Sequence, residues 1–341
     1  MQPHLTPPTL NELPTPNTRI CEMSDDRDPF QDIGRAVAGL RTQLERISKF
    51  ESSIDIEGSM DTYRRLLTLL TPRMEELRRA AGLPASPPVF ASLTAFREVK
   101  SDAELPGPVG RVFTYWNRPL ETAPPLVRAC VAQLRRVYPD AHVLDGPSVR
   151  EWTDIPSRIA DVLEDKRPAH FSDYIRTRIL ETHGGVWVDA TTWVGRSIDA
   201  ELPRFLSGGT VFPRWTRASI ANWFIASHPG TALIRMLRLV LDLWWEENDD
   251  LPDYFLYHRI FEILTLLVPE VRGQWEATPT VSALSAHRMQ LRMMQPWDPA
   301  ALERILMAMP LQKLSYKYDE VPAGSMLERL LLRSEPLNRP G

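Results

Sequence analysis

The segment from His170 to Thr191 constrains the fold of this chain more than any other stretch. Phe171, Tyr174, Ile175 and Ile179 recur at the three-to-four spacing of one helix face. Pro168 suits a first helical turn, where a missing N–H costs nothing. The pattern predicts a helix from Pro168 to about Thr182, stopped by Gly184-Gly185. Val186-Trp-Val-Asp189 then reads as a short, apolar, buried strand with an acid at its end.

The surroundings alternate in the same way. Arg111–Trp116 reads as a strand and Pro125–Tyr138 as a helix with Leu126, Cys130, Leu134 and Val137 inward. Ala141–Asp145 is a second strand and Ser157–Leu163 a short helix. This order predicts an α/β fold, a mostly parallel central sheet covered by helices. In such sheets ligands bind beyond the carboxyl ends of the strands.

The N-terminal part is different. Residues 1–30 hold six prolines and little periodicity, and read as a flexible lead. Residues 31–105 read as a helical region with a linker. Ile33, Val37, Leu40, Leu44 and Ile47 form one helical stripe, and Tyr63, Leu66, Leu67 and Leu70 a second, with Gly58 expected to divide them. Glu75, Glu76, Arg78 and Arg79 are expected on a solvated helix face. Pro84, Pro87 and Pro88 break the pattern, so the α/β domain is expected over residues 106–341.

Composition narrows the function. Lys plus Arg number 40 and Asp plus Glu 44, a net charge of −4, so no global basic field favours nucleic acid or an anionic membrane. Hydrophobic residues at 43% exclude disorder across the whole chain. Cys21 and Cys130 cannot build a disulfide framework or a four-cysteine zinc site, which suits a reducing cytoplasm. The opening MQPHLTPPTLNELPTPN lacks the form of a signal peptide. The apolar runs Met236–Trp245 and Ile260–Val268 are short and carry Arg238, Asp242 or Glu262, so no transmembrane segment is expected. No phosphate-binding glycine loop, dinucleotide fingerprint, zinc-protease motif or serine-hydrolase elbow is present.

Within the central window, Asp173 and Arg176 stand three apart and so neighbour one another on the helix. Asp189, at a strand end, can face a cleft. A hard cation such as Mg²⁺ takes few protein oxygens and completes its shell with phosphate and water, so one rigidly held carboxylate suits it. Each feature also has a plainer reading, a surface ion pair and a turn residue. The case for chemistry is their combination in one compact unit.

That combination resembles the core of glycosyltransferases of the GT-A type, the capsular polysaccharide synthesis group above all, with a related pattern in yeast-type mannosyltransferases and clostridial toxin glucosyltransferases. The matching residues are Ser172-Asp173, Arg176, Leu180, Gly184-Gly185, Val188 and Asp189-Ala-Thr191. Val112–Trp116, Tyr138-Pro-Asp140, His142–Asp145, Asn222–Ser227, Tyr254–His258 and Lys313–Lys317 resemble flanking blocks in the same order, so the likeness runs from about Arg111 to Leu330.

The resemblance implies a GT-A fold and transfer of a hexose from a nucleoside diphosphate sugar, a UDP-sugar first among the candidates. The acceptor would be a saccharide or other hydroxyl, and the anomeric configuration would be retained. It assigns Asp189 to a Mn²⁺ or Mg²⁺ ion, with Thr191 where many relatives carry a second acid. Asp173 and Arg176 would hydrogen-bond sugar or ribose hydroxyls. Asn222 would approach the reacting carbon, Phe113 or Trp116 the base, and Lys313 and Lys317 the leaving diphosphate. His258 is expected to be a core or surface histidine, and Trp223, Trp244 and Trp245 packing residues. Two other readings stand beside this one. In the first, Asp189 is the nucleophile of a haloacid-dehalogenase-like phosphoryl transfer, with Asp249, Asp250 and Asp253 as further acids. In the second, the chain is an inactive sugar-nucleotide binder or scaffold. The N-terminal helices would serve self-association or docking in either case.

Overall fold

The computed structural model describes residues 29–47, 55–85, 110–217 and 219–332. The expected lead, apart from its last two residues, and most of the linker before Gly110 lie outside them.

The strand and helix expectations hold to within a few residues. The first half of the main body runs β1 (Val112–Tyr115), α4 (Pro125–Val137), β2 (His142–Leu144), α5 (Ser157–Leu163), α6 (Pro168–His183), β3 (Gly185–Val188) and β4 (Thr192–Val194). The second half runs α7 (Leu202–Phe205), β5 (Thr210–Val211), β6 (Pro213–Arg214), β7 (Phe224–Ser227), α8 (Ala232–Glu247), α9 (Leu256–Leu267), α10 (Pro269–Ala277), β8 (Val281–Ser282), α11 (Pro299–Ala308), β9 (Leu311–Lys313) and α12 (Met326–Leu332). Before them come α1 (Pro29–Ile47), α2 (Ile56–Leu70) and α3 (Met74–Ala80).

The central sheet has the order β2-β1-β3-β7-β5. β1 pairs in parallel with β2 and β3, while β7 runs antiparallel to both β3 and β5. Four strands therefore share one direction and β7 alone opposes them, so the sheet is mostly parallel. Both faces are covered, as near-continuous apolar strands require. Phe113, Trp187 and Ile225 point into a core shared with α2, α6, α8 and α9. Val112, Val186, Val188, Phe224 and Ala226 point into a second core on the opposite face.

The double glycine is needed on two counts. Gly184 and Gly185 have φ of 62° and 112°, a region that L side chains rarely adopt. A Cβ on Gly184 would lie 2.7 Å from Pro229 Cδ, and one on Gly185 2.6 Å from the Arg111 carbonyl. The turn is thus tight enough to deliver β3, and Asp189 after it, against β1.

The N-terminal helices depart from expectation. Gly58 lies inside α2 and does not divide helices; α2 ends instead at Leu70, before Pro72. Met60, Tyr63, Leu66 and Leu70 of α2 join the large core against α9. Arg78, expected in solvent, is 1% exposed, because Glu270 and the Pro84 carbonyl hold its guanidinium at 2.7–2.8 Å and 2.7 Å. Glu75, Glu76 and Arg79 are exposed as expected. Among the described residues, no helix is long and apolar enough to cross a membrane.

Candidate functional site

A cavity of about 610 Å³ opens beyond the carboxyl ends of β1 and β3, where ligands of such sheets bind. Its wall includes Asp173, Arg176, Asp189, Thr191, Asn222, Lys313, Lys317 and Trp116. The structure thus gathers every sequence-predicted site residue into one cavity except Phe113. Phe113 is fully buried and lies against His142 and Trp152, with ring centroids 5.1 and 4.9 Å away. It alternates with Val112 and Thr114 along β1, and its side of the strand faces the core. The aromatics that reach the cavity from this end are Tyr115 and Trp116, the latter edge-on to Tyr316 at 5.5 Å.

Helix α6 supplies the first side chains. Arg176 is 4% exposed and sits one turn after Ser172. Its Nε donates to the Ser172 carbonyl at 3.0 Å and its Nη2 to Ser172 Oγ at 2.9 Å, while Nη1 donates to the Asn222 carbonyl. Nη2 also lies 3.3 Å from Asp173 Oδ1 and 3.2 Å from Asp189 Oδ1. The guanidinium thus bridges the two carboxylates and fixes both. It lies over the Trp187 ring, 5.1 Å from the centroid, which adds a cation–π contact. Asn222 Nδ2 donates to Asp173 Oδ1 at 2.7 Å.

Strand β3 places Asp189. Its backbone N–H donates to the Trp223 carbonyl at 2.8 Å, and the Trp187 indole N–H donates to Oδ1 at 3.1 Å. The last members come from a remote stretch. β9 pairs antiparallel with β4, setting Lys313 opposite Thr192, and Leu314 N donates to the Thr191 carbonyl at 3.0 Å. This register carries Lys313 Nζ to 2.7 Å from Asp189 Oδ2 and 2.8 Å from Thr191 Oγ1.

The two carboxylates are pushed apart electrostatically. For Asp173, burial is the largest influence and raises the pKa; Arg176 and His170 oppose it, and the Asp189 charge adds to it. For Asp189 burial also acts upward, but Lys313 and Arg176, with hydrogen bonds from Lys313 and Trp187, outweigh it and hold the carboxyl below the usual range. Environments that split a carboxylate pair in this way are typical of reaction sites.

Sequence reasoning passed over several wall residues. His170 and Ser172 lay within the central window, whereas His287 and Gln290 come from a region without a legible pattern. His258 belongs to the cavity wall. Burial, then the charges of Arg259, Arg176 and His170, push its pKa down to about 3, so it stands neutral at ordinary pH. Trp223, Trp244 and Trp245 are buried packing residues, as expected.

The acids of the phosphoryl-transfer reading are elsewhere. Asp249 pairs with Arg158 at 2.8 Å, Asp250 with Arg65 at 2.7 Å, and Asp253 with Arg259 at 2.8 Å, and none lines the cavity.

The chemistry of the donor set bears on the expected Mn²⁺ or Mg²⁺. Asp189 offers roughly four lone-pair sites. Trp187 and Arg176 meet Oδ1, and Lys313 meets Oδ2. Thr191 contributes a neutral hydroxyl that already receives Lys313. Among the described residues, no three His, Cys, Asp or Glu side chains converge as a metal set. An ion bridging Asp189 and Thr191 would have to displace the Lys313 ammonium, so the residues present do not fit it as they stand.

Comparison with known proteins gives a relative and a family. O-glycosyltransferase braB of Annulohypoxylon truncatum is 24% identical over 182 residues, which cover 47% of this chain and 43% of that protein. The chain therefore matches less than half the length of this curated relative. The family described as capsular polysaccharide synthesis protein matches residues 92–330, which includes β1, the α6–β3 unit, Asn222 and Lys313. On the strength of a match over most of its length, this chain belongs to the capsular polysaccharide synthesis protein family.

Proposed function

We propose that this protein is a glycosyltransferase of the GT-A type. It moves a hexose from a nucleoside diphosphate sugar, with UDP-sugars the first to test, to a hydroxyl of a saccharide or similar acceptor, retaining the anomeric configuration. The observation that carries the reading is the meeting of Asp173, Arg176, Asp189 and Lys313 in one cavity beyond the sheet. Family membership and the glycosyltransferase relative support it.

The volume, about 610 Å³, falls in the range of small-molecule sites. Its chemistry suits the parts of such a donor. Asp173 and Asn222 offer an acceptor and a donor for sugar hydroxyls. Trp116 and Tyr316 offer aromatic faces to a base. Transfer breaks the bond between the anomeric carbon and a phosphate oxygen, so negative charge grows on the departing diphosphate. Lys313 and Lys317 stand in the same cavity to stabilise it. Arg176, whose donors are directed to Ser172, Asn222 and the two acids, serves as a positioning residue. The free thiol of Cys130, on the buried face of α4, suits a cytoplasmic enzyme.

A thermal-shift screen of nucleoside diphosphate sugars tests the reading, because a ligand that binds only the folded state raises its melting temperature. At least one donor should raise Tm and be turned over, with release of the nucleoside diphosphate. A Tm unmoved by every donor overturns the assignment. Binding without turnover favours the sensor or scaffold reading.

A further inference from the structure

We propose that the Lys313 ammonium occupies the place of the divalent ion, and that this protein holds its donor diphosphate without a metal. The inference rests on the nucleotide-sugar reading above and goes beyond it by naming the cation.

Three observations carry it. First, Nζ lies 2.7 Å from Asp189 Oδ2 and 2.8 Å from Thr191 Oγ1, between the two groups that an ion would bridge. Second, an ammonium has three N–H donors and no acceptor. Two are directed to Asp189 and Thr191, and the third remains for an anionic oxygen in the cavity that Lys313 lines. Third, the position is built, not incidental. The β4–β9 pairing fixes the Lys313 backbone, and Gln312 beside it is fully buried, its amide donating to the Met309 carbonyl at 2.7 Å and accepting from Met289 N at 3.0 Å.

Thr191 fits this arrangement. A second carboxylate there would help to hold a doubly charged ion, whereas a hydroxyl suffices to accept from a singly charged ammonium. Lys317 lines the same cavity and adds a second positive charge. One acid with two lysines then presents the same net charge to a diphosphate as one acid with a divalent ion.

The test uses the whole protein and diphosphate probes, namely UDP, GDP, ADP and CDP. Calorimetry with EDTA and with Mn²⁺ should give the same Kd within about twofold for the nucleotide that binds, well under the tenfold that 1.4 kcal/mol represents. The electron paramagnetic resonance signal of free Mn²⁺ should be unchanged on adding protein. Lys313→Met should weaken binding in EDTA by about tenfold or more, the scale of a charge-assisted hydrogen bond, and Lys313→Arg should restore part of it. The double variant Lys313→Ala, Thr191→Asp should gain Mn²⁺ binding, seen as loss of the free-ion signal. Binding at least tenfold tighter with Mn²⁺, or a free-ion signal lost to the unaltered protein, overturns the inference and leaves the donor assignment standing. If no diphosphate binds in either buffer, the donor assignment falls and this inference with it. The unaltered protein alone decides between these outcomes, even if a variant fails to fold.

Discussion

Among the charge clusters of the described residues, two differ in what their hydrogen bonds leave over. In the first, Arg259 is held by Asp253 at 2.8 Å and Glu262 at 3.0 Å, Ser59 Oγ donates to Asp253 at 2.8 Å, and Tyr63 Oη donates to Glu262. Its three charged side chains are 3–4% exposed, and it bolts α2 to α9. In the second, Asp189 and Lys313 are each 23% exposed and face a cavity. The sealed cluster directs its groups to one another. The open one keeps a donor on Lys313 and acceptor capacity on Asp173 for a ligand. Buried charge alone therefore does not mark a functional site; unspent hydrogen-bonding capacity facing a cavity does.

This contrast breaks most readily at Asp189. Asp189→Ala should lower kcat/KM by about 10²–10³-fold, the scale of losing one electrostatic element of a reaction site, while far-ultraviolet circular dichroism stays native. Unchanged turnover would remove Asp189 from the site. The reverse pattern is expected in the sealed cluster. Arg259→Met should cost about 3–5 kcal/mol of folding stability by stranding two buried acids, measured by urea unfolding, with kcat and KM per folded molecule unaltered. A catalytic loss without a stability loss would show that the two clusters had been wrongly separated.

Asn222→Ala sharpens the comparison more gently. Removing one hydrogen bond to Asp173 should cost about tenfold or less in kcat/KM, read from steady-state kinetics. The smallest effect is in pH. Because Asp173 is raised, it gains its proton at a higher pH than an ordinary aspartate, near 3.9. The acid limb of kcat/KM should lie above that value and vanish in Asp173→Asn. The stability signs are opposite for the two acids. Ionised Asp189, lowered, stabilises the fold above its unfolded pKa, and that contribution is lost as pH falls through the folded value. Raised Asp173 favours the fold when protonated, and that contribution is lost as pH rises through its folded value.

The N-terminal helices also change meaning in this light. Self-association through them remains a proposal. The apolar stripe of α2 is already spent on α9, Leu40 and Leu44 of α1 are buried in the same core, and Arg78 of α3 is spent on Glu270. Light scattering on the whole chain and on one beginning near Ser101 would have to allow for this, because the shorter chain exposes the α9 surface.

The helix of α6, its glycine stop, the apolar β3 and the acid at its end were legible from local pattern. Each is set by contacts within a few residues: a helical stripe, a backbone region open to glycine, and an alternation of two. So were Asp173 and Arg176 as neighbours, since one helical turn fixes their spacing. What local pattern could not supply was the direction of Phe113, whose side of β1 depends on which helices cover the sheet. It also could not supply the burial of Arg78, which depends on Glu270 nearly two hundred residues away. Lys313 is the clearest case. Local pattern shows only a lysine near a strand end, and the resemblance adds only an expected place near the leaving diphosphate. Its place between Asp189 and Thr191 is decided by the β4–β9 register, a pairing across more than a hundred residues that no local periodicity encodes.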